Sequence, residues 1–278
     1  IKELDADLSG FNSFCSSLKS SQIVNLSLKK CYLGPQALAM LADAIQFMAA
    51  VARLSLSGNF ITGSRDEGDL LSSDWKYDLD LSGLTSLCDA LLTLKNPIEL
   101  DLSKCGLSVD WVNPVAKAIS AGAALTAINV LSNSIGDGAN LLIDIFESTE
   151  SIRTMLGIED GTTALDLSGE WYGKSKLDAG CAKLLAAEFT ARRCTRSVKT
   201  VVLHNNTLLG DAGLTAIMDA LPPGVALQPN FQGCGLKRVT TQLLERVSSA
   251  TSLDLAAAGV SRQLAAGSAM RFLGPKSE

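Results

Sequence analysis

The sequence predicts a right-handed α/β solenoid, a horseshoe with a parallel sheet on its concave face and helices on its convex face. Two observations carry that prediction. The first is the segment 97–107, PIELDLSKCGL, which reads apolar-x-x-Leu-x-Leu-x-x-Cys-x-Leu. Alternation along a short strand puts Leu100 and Leu102 on one face and Asp101 and Ser103 on the other, with Leu107 closing the turn beneath. The second is recurrence at a fixed distance: Leu26 to Leu54, Leu100 to Ile128 and Val201 to Pro229 are each 28 positions apart. That spacing leaves room for one strand and one helix per copy.

The template fits residues 23–33, 51–61, 125–135 and 198–208, and more weakly 226–236 and 250–260. Degenerate copies at 1–11, 152–162 and 162–172 bring the candidate units to ten. Leu54 to Leu100 is 46 positions, an insertion of 18 placed within 62–78, rich in Gly, Ser and acidic residues. Leu165 to Val201 is 36, an insertion of 8 placed at 170–176, whereas Met155 to Leu165 is only 10, too short for a helix.

Helices follow the strands in order. Phe11, Phe14 and Leu18 lie at helical spacing in the compressed first unit. Gly34-Pro35 opens a second helix with Leu38, Leu41, Ile45 and Met48 facing inward, since proline costs nothing at a first helical position. Helices are predicted over 85–94, 109–120, the run Leu141 to Phe146, 177–191, 211–221, 238–247 and 263–272. Leu79-Asp80-Leu81 mimics a strand but reads as the lead into the helix at 85–94. Between residues 155 and 169 two strand-like copies stand almost back to back, joined by a Glu-Asp-Gly turn.

With 278 residues and 47% apolar content the chain can bury a large interior, and an array of this kind reads as one elongated domain, 1–278. A net charge of −5 argues against a general nucleic-acid binder, whose footprint is usually a basic face. The basic cluster Arg192, Arg193, Arg196 and Lys199 reads as solvation of a helix C-terminus. The greasiest stretch, 38–51, is interrupted by Asp43 and Gln46, so no membrane insertion is expected. The chain opens inside a unit and ends without a polar cap, so further repeats, a capping domain or a partner are expected at its ends. Seven cysteines lack CxxC spacing, and six fall in helices or in one repeat slot. Free, buried thiols in a reducing intracellular compartment, the cytoplasm or an organelle, are therefore expected.

The slot that holds Cys31, Cys105 and Cys234 is filled by Asn59, Asn133 and Asn206 in other copies. An Asn at a strand end satisfies main-chain groups of the adjoining turn, and Cys is a smaller, weaker donor in that place. The order Cys31, Asn59, Cys105, Asn133 resembles the ribonuclease-inhibitor-like class of leucine-rich repeat proteins. That class includes GTPase-activating proteins and repeat domains of innate-immune receptors. The resemblance spans nearly the whole chain and implies the fold, not an activity.

Catalytic chemistry finds little footing. His204 is the only histidine, there is no metal-ligand cluster or phosphate-binding glycine loop, and the serines lack a nucleophile elbow. Asp101, Asp166 and Asp254 share one outward slot because the copies repeat, which a solvated face explains. The reading is a non-enzymatic scaffold, without cofactor or metal, that binds a protein partner. A regulator of another enzyme and a structural subunit of a large assembly are the alternatives. Leu131, Leu156, Ile158 and Val202 fall at outward positions with His204, while Trp75, Tyr77, Trp171 and Tyr172 fall in insertions. These nine residues are the candidate partner contacts, since Trp and Tyr are frequent anchors and clustered outward apolar residues form a patch. In this register Leu100→Ala or Leu102→Ala costs about 2–5 kcal/mol and Asp101→Ala little.

Overall fold

A computed structural model describes residues 4–5, 7–66, 75–169, 176–238, 241–247 and 253–255. Strands and helices alternate, and the strands form parallel sheets. The chain divides into two compact units, 1–159 and 160–278, at the turn where the sequence places two strand-like copies back to back.

In the first unit, helix α1 (Ser9–Leu18) is followed by strand β1 (Asn25–Ser27), helix α2 (Pro35–Ile45) and strand β2 (Arg53–Ser55). Strands β3 (Arg65–Asp66) and β4 (Trp75–Lys76) pair antiparallel as a ribbon within the first insertion. Helix α3 (Ser82–Thr93), strand β5 (Ile98–Asp101), helix α4 (Val112–Ser120), strand β6 (Leu125–Asn129) and helix α5 (Ala139–Ser148) complete it. The sheet runs β1-β2-β5-β6, and the leucines of successive copies are direct partners: Leu26 with Leu54, Leu54 with Leu100, Leu100 with Ile128. The 28-residue recurrence is thus the register of a parallel ladder. Leu54, Leu100 and Ile128 are buried, as are the helix residues Leu38, Leu41, Ile45 and Phe146. Helices α2 and α3 approach so closely that a Cβ on Gly83 would meet the Pro35 carbonyl oxygen, so only glycine fits there.

In the second unit, strand β7 (Ala164–Asp166), helix α6 (Ala179–Ala191), strand β8 (Thr200–Val202), helix α7 (Gly210–Ala220), strand β9 (Ala226–Leu227) and helix α8 (Thr241–Arg246) follow, with β7-β8-β9 parallel. Leu165 partners Val201, but Val201 partners Leu227, not Pro229. The pairing settles two residues earlier, with the Gln228 amide on the Val201 carbonyl at 2.9 Å. At the end of α6, Arg192 adopts a left-handed conformation and Arg196 Nε donates to its carbonyl at 2.9 Å, which agrees with the helix-terminus reading of that cluster. The predicted helix at 263–272 lies outside the described residues.

The slot residues join one strand to the next. Asn59 Oδ1 accepts from the Cys31 and Leu33 amides at 2.9 and 3.1 Å, and its Nδ2 donates to the Leu28 and Leu56 carbonyls at 2.7 Å each. Asn133 repeats the arrangement on Cys105, Leu107, Leu102 and Val130. Asn206 does so on Lys176, Leu177, Leu167 and Leu203. Where cysteine occupies the slot, Cys105 Sγ lies 3.3 Å from the Leu56 carbonyl and Cys234 Sγ 3.1 Å from that of Leu203. Each thiol donates in place of the asparagine NH2, and its sulfur takes the amide of the preceding slot residue, Asn59 for Cys105 and Asn206 for Cys234.

All seven cysteines are free. Burial pushes the Cys88 and Cys105 thiols up to about 12, and Cys194, in a loop, is buried too. Cys31 departs from the expected burial and is exposed, because β1 is the edge of its sheet and no further strand covers it among the described residues. No helix among the described residues is long and apolar enough to cross a membrane.

Two outcomes test this architecture. Asn133→Ala leaves two amides and two carbonyls unsatisfied and should cost about 3 kcal/mol or more in chemical denaturation. Lys117→Ala, on the exposed side of α4, should stay within about 0.5 kcal/mol. Equal effects would refute the ladder. With a thiol reagent, Cys31 should be labelled first in the native protein and the other six only on unfolding; a buried cysteine reacting as fast as Cys31 would contradict the packing.

Candidate binding face

The outward side chains of the first sheet are bonded to one another. Arg53 and Glu99 are direct partners across β2 and β5, and Arg53 Nε donates to Glu99 Oε2 at 2.7 Å. Arg153 Nη2 reaches the other oxygen, Oε1, at 2.6 Å. One position along the same face, Asp101 Oδ2 accepts from Ser55 Oγ at 2.8 Å and pairs with Lys29 Nζ at 3.2 Å. Asp101 Oδ1 accepts from Ser103 Oγ at 2.7 Å and the Ser103 amide at 3.1 Å, and Ser57 Oγ lies 2.9 Å from Ser103 Oγ.

This network assigns the recurrent outward acid a structural task. Asp101 Oδ1, Asn129 Oδ1, Asp166 Oδ1 and Asn230 Oδ1 each accept the amide two residues on, at 2.9–3.1 Å. The side chain replaces the ladder bond that the main chain loses as the strand turns. Burial raises the Asp101 carboxyl, but hydrogen bonds from Ser103 and Ser55, the Ser103 amide and Lys29 outweigh it and hold the carboxyl below its ordinary value. On β7, the Ser168 hydroxyl and amide lower Asp166 in the same way.

A second set of acids fastens the loops that start the helices. Asp5 accepts from the Gly34, Gln36 and Ala37 amides at the start of α2, and Asp211 from the Lys237 and Arg238 amides. Asp78 accepts from the Ser108 amide before α4, and its own amide donates to Ser64 Oγ at 2.9 Å, which anchors the β3–β4 ribbon. Burial raises the Asp78 carboxyl despite those bonds.

The predicted contacts separate into several groups. Leu131 is half-buried in the first unit, and Val202 and His204 are half-buried in the second. Leu156 and Ile158 are not outward: they are 1% and 4% exposed. Thr154 Oγ1 accepts from the Leu156 and Ile158 amides at 3.1 and 3.0 Å, so the segment curls and strand alternation no longer applies. Tyr77 is 42% exposed. Of Trp75 only the backbone, in β4, is described, and Trp171 and Tyr172 lie outside the described residues. The sequence reading did not single out Lys29, Arg53, Glu99 and Arg153. Arg53 and Glu99 occupy the same slot in successive copies with opposite charge, a signal hidden by the intervening insertion.

No protein-family model and no curated protein sequence matches the chain.

The Asp101 network has a pH signature. A carboxyl lowered in the folded state stabilises above its unfolded value of 3.8, and that stability is lost as pH falls through the folded value. Contrary to the reading from sequence, Asp101→Asn should therefore cost about 1 kcal/mol near neutrality. The gap to the parent should close as denaturation is repeated below pH 3.8. A gap that stays constant with pH would remove the ionised carboxylate from the account.

Proposed function

We propose that the chain is a leucine-rich repeat protein of the ribonuclease-inhibitor-like class and acts as a non-enzymatic scaffold. In this reading a protein partner binds the outward face of the strands together with the insertion at 62–78. Neighbouring strands need about 4.8 Å and packed helices about 10 Å, so stacked units bend with strands on the concave side and helices on the convex side of a right-handed horseshoe. The in-register leucines and the recurring Asn and Cys slot support the class.

The observation that carries the binding role is the bonded outward face of β1, β2 and β5. Its side chains are already held by one another, so a partner meets a surface whose ordering entropy is largely spent. Asp101 is kept ionised by its donors, which suits a fixed charge more than a base poised near neutrality. The seven free thiols fit a reducing intracellular compartment.

Affinity capture of the natural partner tests the face. Leu131→Glu, Val202→Glu and Tyr77→Ala, each checked for an unchanged melting temperature, should reduce capture at least about tenfold for one or more variants. Leu141→Glu, on the exposed side of α5, should leave it intact. Loss only with Leu141→Glu would move the site to the helices and overturn the proposal.

A further inference from the structure

The outward face of the first sheet carries the opposite sign to the chain as a whole. The net charge is −5, yet Lys29, Arg53 and Arg153 reach out from this face with side chains 56%, 66% and 48% exposed. The acids between them are withdrawn: Asp101 is 21% and Glu99 32% exposed. Glu99 is shared by two guanidinium groups, one on each oxygen. One carboxylate balances one of them, so a positive charge remains in the cluster. Each arginine gives Glu99 one N–H out of five, which leaves further donors on two side chains that are 66% and 48% exposed.

We infer that the Arg53–Glu99–Arg153 cluster is a carboxylate-binding site, and that the partner segment it takes is an acidic stretch of a protein. Glu99 acts as a strut that holds the two guanidiniums on the sheet, and the incoming carboxylate takes the remaining donors in the paired geometry guanidinium favours. Lys29 supplies a further cation one position along the face. A nucleic acid suits the face less well. Its phosphates repeat about every 1.7 Å of duplex and would meet Glu99 and Asp101 as well as the cations. The inference rests on the scaffold reading for its biological meaning, but its test does not need the natural partner.

The test is fluorescence anisotropy of the full chain with a labelled oligoglutamate peptide, an oligolysine peptide of equal length and a single-stranded RNA. Oligoglutamate should bind, and the double variant Arg53→Ala/Arg153→Ala should weaken it about tenfold. Glu99→Gln should tighten it several-fold, because the negative charge that repels an incoming carboxylate is removed while both arginines stay on the face. Arg153→Lys, which keeps the charge and loses the fork, should fall between parent and double variant. Melting curves establish that each variant is folded, and if Glu99→Gln is not, Arg53→Ala alone decides. No loss of oligoglutamate binding in the arginine variants, weaker binding by folded Glu99→Gln, or tighter binding of RNA through the same arginines would each overturn the inference. Peptide binding that follows these expectations while the natural partner ignores the strand face would leave the site standing and sink the scaffold reading instead.

Discussion

One side chain per strand end bears much of the burden of this fold. A strand of three residues makes few ladder bonds, and where it turns away its next amides and carbonyls are buried between neighbouring layers with no water to satisfy them. Asn59, Asn133 and Asn206 answer that need with a carbonyl oxygen that takes two amides and an NH2 that serves two carbonyls. Each asparagine bonds both its own strand and the one before, so it sets the distance and register between them. Cys105 plays the part more weakly, with its Sγ 3.3 Å from the Leu56 carbonyl and its sulfur beside the Asn59 amide.

The two faces of each strand then divide the work. Inward leucines and isoleucines are buried together with the alanines and leucines of the helices, and helices α2 and α3 approach closely because Gly83 has no side chain. Outward Asp and Asn satisfy the amide two residues on, and serines from neighbouring strands complete the shell around Asp101. The same hydrogen bonds that end the strands therefore preorganise the surface they leave exposed. Stability and the order of that surface share one cause.

Several acidic residues hold the chain together. Asp5, Asp78 and Asp211 reach forward to amides that begin the next helical segment, Asp178 caps α6 through the Cys181 amide at 2.7 Å, and Asp101 and Glu99 are drawn into the sheet surface. The cations they attract, with long stems, keep their heads in water. The net charge of the chain accordingly says little about the sign of its most organised face.

Much of the fold was legible in the sequence because it depends on local period. In–out alternation around Leu100 and Leu102, the 28-residue spacing and the Asn and Cys slot are all visible in one dimension, and the structure turns each into a register or a hydrogen bond. What tertiary structure alone decided depends on the neighbouring layer. Thr154 curls its segment and buries Leu156 and Ile158, Val201 pairs with Leu227 in place of Pro229, and the edge position of β1 exposes Cys31. The shared carboxylate of Glu99 lies beyond local pattern altogether. Its two arginines stand 46 and 54 positions away on either side, and only the stacking of strands in space brings three charges onto one face.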